Sequence, residues 1–166
     1  VARQQLERTA QQSLIDRLVD YAPRESGDAA MTWSHSLHLL KQSLRRDLDW
    51  LLNTRRTGDP VPEEFVELRG SLYDYGLEDI SSMSRDDSET RSRLLRSIEE
   101  AITDFEPRLA AVRVSLVDED DDPTQREVHF LIEAMLRVDP SPEPVVFDTV
   151  LEVGSGEYRL KGDAGA

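Results

Sequence analysis

Few residues in this chain have the types and spacing that chemistry needs. Asp118, Asp120 and Asp122 fall at the first, third and fifth places of a calcium loop, where alternate carboxylates converge on one hard cation. Such a loop needs glycine at its sixth place and a bidentate glutamate at its twelfth. Pro123 and His129 stand there instead, so no calcium site is expected. His35 and His38 are spaced to share one side of a helix, yet zinc takes at least three protein ligands and no third adjoins them. His129 lies in a strand pattern with no nucleophile near it in sequence. With 34 acidic residues, some pair of carboxylates will always lie at a glycosidase-like separation, and nothing singles one out as a catalytic acid. No phosphate-binding glycine loop or serine elbow is present. The expectation is therefore no enzyme, no metal and no cofactor. One grouping stands apart: Glu106, Pro107 and Arg108, set between Phe105 and Leu109. Residues two apart across a proline in extended backbone present their side chains together, so a carboxylate and a guanidinium can meet there. They can brace the turn internally, or they can grip a partner through charge-assisted hydrogen bonds.

The elements that position this triplet follow from periodicity. Leu6, Ala10, Leu14 and Leu18 recur every four residues, which predicts an amphipathic helix over 5–21, followed by a non-periodic linker over 22–33. Leu37, Leu40, Leu44, Leu48 and Leu51 make one face of a second helix, with Ser34 as its expected N-cap and Gly58 and Pro60 beyond its end. Arg45, Arg46, Arg55 and Arg56 concentrate positive charge around that helix, as either a solvated face or a docking patch for an acidic partner. Residues 71–87 match neither period and read as an ordered, packed loop. A third helix over 86–105 carries Leu94, Leu95, Ile98, Ala101, Ile102 and Phe105 inward, and Pro107 stops it. The period then changes to two. Val112, Val114 and Leu116, then Val128 through Val138 on alternate residues, then 145–153 and 157–161 read as four strands, with the tail 162–166 fraying. Helices first and strands last predict an α+β fold, with N-terminal helices packed on a C-terminal antiparallel or mixed sheet of about four strands. Few prolines interrupt these strands, so a sheet edge, with Arg159 on the last strand, is expected to present free backbone groups. The expected domains are 1–33, a helical arm and linker, and 34–166.

Composition narrows the partners. The net charge of −14 repels nucleic acid and anionic lipid, and the absence of cysteine fits a reducing compartment. No apolar run approaches the length of a membrane span, so a soluble cytoplasmic protein without direct membrane insertion is expected.

Six segments in order carry a resemblance: "SLIDRL", "SLRRDLDWLLNTRR", "SLYDYGLEDISS", "FEPRL", "FLIEAMLRVDPSPEPVVFDTVLEV" and "SGEYRL". Together they resemble the TssE subunits of bacterial type VI secretion baseplates, and they are also similar to the shorter lysozyme-like wedge proteins of contractile phage tails. The resemblance implies a non-enzymatic structural part, lying in the bacterial cytoplasm in a baseplate docked at the inner-membrane complex. Its implied partners are the wedge subunits TssF, TssG and TssK and the sheath subunits TssB and TssC, whose assembly it would help to start. The family's Glu-Pro-Arg motif falls on Glu106, Pro107 and Arg108. Leu14 and Leu18 of the first helix, and Arg159 on the last strand, are further expected partner-binding positions. Related folds also resemble antiadaptors that bind a response regulator, which leaves a regulatory binding module as one alternative; an acidic glycoside hydrolase is another.

Overall fold

The computed structural model describes residues 10–19, 23–24, 32–56, 61–62, 64–68, 70–78, 88–117, 127–152 and 154–163. The chain divides into two compact units, Val1–Asp47 and Leu48–Ala166. The division falls inside a helix, and most of the linker expected over 22–33 lies outside the described residues.

In the first unit, α1 covers only Leu14–Leu18, and the residues from Ala10 to Ser13 that were expected to be helical are not. Ser13 explains the late start. Its Oγ accepts from the Asp16 N–H at 3.2 Å, which supplies one of the donors a helix start leaves unsatisfied. The second helix, α2, spans Trp33–Asn53. Its cap is Thr32, whose Oγ1 accepts from the His35 N–H at 3.3 Å, so Ser34 lies within the first turn and does not cap it. Leu40, Leu44, Leu48, Leu51 and Leu52 are buried along its length, on the stripe the spacing predicts.

In the second unit, α3 (Ser88–Phe105) buries Ile98, Ala101 and Ile102. Four strands follow: β1 (Leu109–Leu116), β2 (Glu127–Leu136), β3 (Glu143–Glu152) and β4 (Glu157–Asp163). They form one antiparallel sheet in the order β1-β2-β3-β4, and α3 packs along β1. This is the expected α+β arrangement. Register puts the apolar residues on one face: Ile132 lies opposite Phe147, Phe130 opposite Thr149, and Leu151 opposite Tyr158. Phe130 meets Tyr158 edge-on at 6.0 Å. Each such side chain stabilises the fold by about 1.5–3 kcal/mol through burial.

The first strand departs from simple alternation. Leu109 and Val114 are both buried although five positions apart, because the register slips between Ala110 and Arg113. One extra residue is accommodated there, with Ala111 in the left-handed region at φ 51°. The bulge lets the strand begin immediately after Arg108 and still turn Val114 to the core. At the other end, β4 runs on to Asp163, past the expected fray point. Pro144 lies within β3, opposite Met135 and beyond the stretch that pairs with β4, where a missing donor costs no ladder bond. The expected acidic turn at 118–122, the start of the third helix at Asp86, and Leu6, Gly58 and Pro60 lie outside the described residues.

Candidate functional site

The triplet forms the corner between α3 and β1. The Glu106 N–H still donates to the Ile102 carbonyl at 2.9 Å, completing the helix, and Pro107 then prevents another turn. The Leu109 N–H donates back to the Glu106 carbonyl at 3.1 Å, closing a tight reversal. The Glu106 side chain seals it. Its Oε1 accepts from Arg108 Nε at 2.7 Å and from the Arg108 main-chain N–H at 3.2 Å, while its Oε2 accepts from Arg108 Nη2. This is a fork-to-fork pair with the acid buried, at 5% exposure, and the guanidinium half-buried. The Arg108 carbonyl accepts from the Arg137 N–H at 2.8 Å, tying the corner to the end of β2. Pro107 is exposed, and the Arg108 side chain beside it is 22% exposed. The internal brace is thus present, and it sets the direction in which Arg108 points.

Phe105 anchors the corner against Tyr75, edge-on at 5.2 Å. Tyr75 belongs to a loop that is ordered for a definite reason. Arg56 N–H donates to the Leu77 carbonyl at 2.8 Å and Leu77 N–H to the Thr54 carbonyl at 2.9 Å, a short bridge back to the end of α2. Gly76, at φ 103°, permits this approach, since a Cβ there would sit 2.3 Å from the Thr54 oxygen. Arg56 spans the loop to Asp74 at 3.1 Å and Glu78 at 2.5 Å. A groove of about 650 Å³ lies between this loop and α3, lined by Arg56, Asp74, Arg93, Glu100 and Phe105 among others. Its charges are mixed, and Ser97 lies in it without a histidine.

The other expected site residues lie elsewhere. Arg159 is on β4, the edge strand opposite the one that leaves the corner, and is exposed with Glu152 at 3.3 Å and Glu157 at 3.2 Å. The edge itself is not bare as expected. Asn53 Nδ2 donates to the Tyr158 carbonyl and Asn53 Oδ1 accepts from the Tyr158 N–H, each at 2.9 Å. On the opposite edge, the Glu99 carboxylate accepts from the Val114 N–H at 2.7 Å. Both edge strands therefore carry a side-chain cap that no periodicity announces.

In the first unit, the Asp16 carboxylate accepts from Arg46 Nη1 at 2.7 Å, and the Ala10 N–H donates to the buried Ser36 hydroxyl at 2.9 Å. The hydrogen bond to Arg46 holds the Asp16 carboxyl below its usual pKa of 3.8. With its acid thus turned inward, α1 leaves its apolar residues outside: Leu14 is 69% exposed, Ile15 70% and Leu18 74%. Two of the four clustered arginines form internal pairs, Arg46 with Asp16 and Asp47, and Arg56 with Asp74 and Glu78, while Arg45 and Arg55 are exposed. His35 and His38 are both exposed, and His129 lies 3.5 Å from Glu127.

The residues from 38 to 141, which include the whole corner, match the pattern of the baseplate wedge protein gp25 family. The chain belongs to that family. No curated protein matches it significantly. Membership gives the chain a structural role in a phage-like baseplate, in contact with other baseplate components. The family match covers α2 from residue 38 onward, α3, β1 and β2, and ends before β3 and β4.

Proposed function

We propose that the protein is the TssE-type wedge subunit of a type VI secretion baseplate. It joins the wedge subunits TssF, TssG and TssK to the TssB and TssC sheath and starts sheath assembly. The observation that carries this reading is the wedge-family match across a corner whose buried Glu106 fixes the half-buried Arg108 beside the exposed Pro107. A rigid corner avoids part of the ordering cost of binding. In this reading Arg108 and Pro107 meet a wedge subunit, and Glu106 is the positioning residue. The exposed Leu14 and Leu18 of α1 dock on an apolar surface of another baseplate subunit, and α1 needs one because it buries none of its residues in this chain. The β4 edge receives an extended sheath segment beside Arg159, since β4 is the last strand of the sheet. The protein hydrolyses nothing and works in the bacterial cytoplasm against the inner-membrane complex.

The corner is tested with Arg108→Lys, which keeps the charge and loses the fork. A melt of the isolated variant is paired with affinity purification from the native operon. Near-normal folding with loss of wedge subunits supports the interface; a folded variant that still recovers every partner removes it. The β4 edge is tested by Arg159→Cys, because the chain has no cysteine of its own. Neighbouring strands bring side chains close enough for a disulfide, so a cross-link to a single cysteine placed in a sheath segment reports strand addition. Proline at Arg159 is the wrong probe. Tyr158 turns its main-chain groups outward to Asn53, so those of Arg159 face Val150, and proline there would break the β3–β4 ladder.

A further inference from the structure

The cap on β4 has the form of a missing strand. In an antiparallel sheet a residue's N–H and C=O point to the same side, and on an edge strand every second residue turns both outward. Tyr158 does so. The group that meets it, the Asn53 carboxamide, offers one acceptor and one donor in a single plane, as a peptide of an adjacent strand does. Leu160, two residues on, is the next whose main-chain groups turn outward. Asn53 is held in place by a second donation from Nδ2 to the Asp49 carbonyl at 2.9 Å. It is exposed and is the last residue of α2, so rotation about its own side chain takes the carboxamide off Tyr158.

We propose that Asn53 is a detachable cap on the sheet edge. Its amide fills the hydrogen-bonding positions at Tyr158 that an incoming extended segment takes, so that β4 stays closed in the free subunit and opens as a partner strand displaces the side chain. This rests on the strand-addition reading given above. The occupant is an extended segment with an apolar residue on the face shared by Tyr158 and Leu160, which are both buried, and a polar residue on the face of Glu157, Arg159 and Lys161, which are exposed. A cap of this kind also prevents two free copies from pairing edge to edge, a hazard that an exposed strand always carries.

The test uses the full chain with Arg159→Cys and sheath subunits carrying one cysteine in an extended segment, comparing cross-linking rates with and without Asn53→Ala. Removing two competing hydrogen bonds should speed initial cross-linking by about tenfold or more, and should expose the Tyr158 amide to hydrogen exchange. Asn53→Asp keeps the acceptor for the Tyr158 N–H but loses the donor to its carbonyl. It should fall between wild type and Asn53→Ala, and it decides the matter if Asn53→Ala fails to fold. Cross-linking at the wild-type rate in both variants, with the Tyr158 amide exposed, reduces Asn53 to a structural tie and leaves strand addition standing. Slower cross-linking in the variants overturns the cap. Absence of any cross-link, in wild type and variants alike, defeats the strand-addition reading and the cap with it.

Discussion

Removing Arg108 should cost more stability than removing Glu106, because the two changes leave different side chains behind. Glu106→Ala deletes a buried acid and leaves behind a guanidinium that is 22% exposed and reaches water easily. The loss is then two charge-assisted bonds and the bond to the Arg108 N–H, discounted for that access, or about 2 kcal/mol. Arg108→Ala instead strands a carboxylate that is 6% exposed. Its one remaining bond is from the residue 108 N–H, and breaking a buried pair from this side costs about 3–5 kcal/mol. Urea unfolding of the isolated protein at neutral pH measures both. The double variant should lie near Glu106→Ala, since the stranded acid has gone too, and a cycle should then return a coupling of about 3–5 kcal/mol, the size of the Arg108→Ala cost. Equal costs for the two single variants, or an Arg108→Ala protein within about 0.5 kcal/mol of wild type, would show that Glu106 is not held as described.

Three further outcomes are expected. Gly76→Ala should destabilise by at least about 2–3 kcal/mol in a thermal or urea melt, since it adds a clash with the Thr54 carbonyl to a backbone conformation alanine avoids. Tyr158→Phe should leave stability unchanged or raise it by about 1 kcal/mol, because the Tyr158 hydroxyl is buried with no hydrogen-bond partner among the described residues, and a clear loss would reveal one. The Asp16–Arg46 pair lowers the Asp16 pKa, so its contribution to holding α1 is fully present above about 3.8 and is lost as pH falls below that value through the folded pKa. Amide exchange at Arg17 and Val19, whose N–H groups close the α1 turn, should therefore be slower in wild type than in Asp16→Asn at neutral pH and should converge in acid.

What could be read ahead of the structure depended on range. Strand alternation over Val128–Val138 and leucine spacing in α2 are local and repetitive, so the α+β order followed from them. The Glu106–Arg108 pairing was foreseeable as one of two options, because the partners are two residues apart and a proline fixes the path. The Ala111 bulge was not, since alanine has no preference for the left-handed region and nothing in "LAAVRV" signals it. Asn53 meeting Tyr158 joins residues 105 apart through a side chain and a backbone, and such a contact leaves no period in the sequence. Glu99 capping Val114 is hidden in the same way within a helix face rich in acids. The N-cap of α2 was misplaced by two residues because Thr32 and Ser34 have the same capping chemistry, and only the backbone path distinguishes them.

The central claim is that this corner belongs to a type VI wedge subunit, and affinity purification of the wild-type chain from its native operon, with mass spectrometry, tests it most directly. The account predicts recovery of the wedge subunits TssF, TssG and TssK together with TssB and TssC, and loss of the wedge subunits when the bait is folded Arg108→Lys. Recovery of a single response regulator with no baseplate or sheath subunit would contradict it.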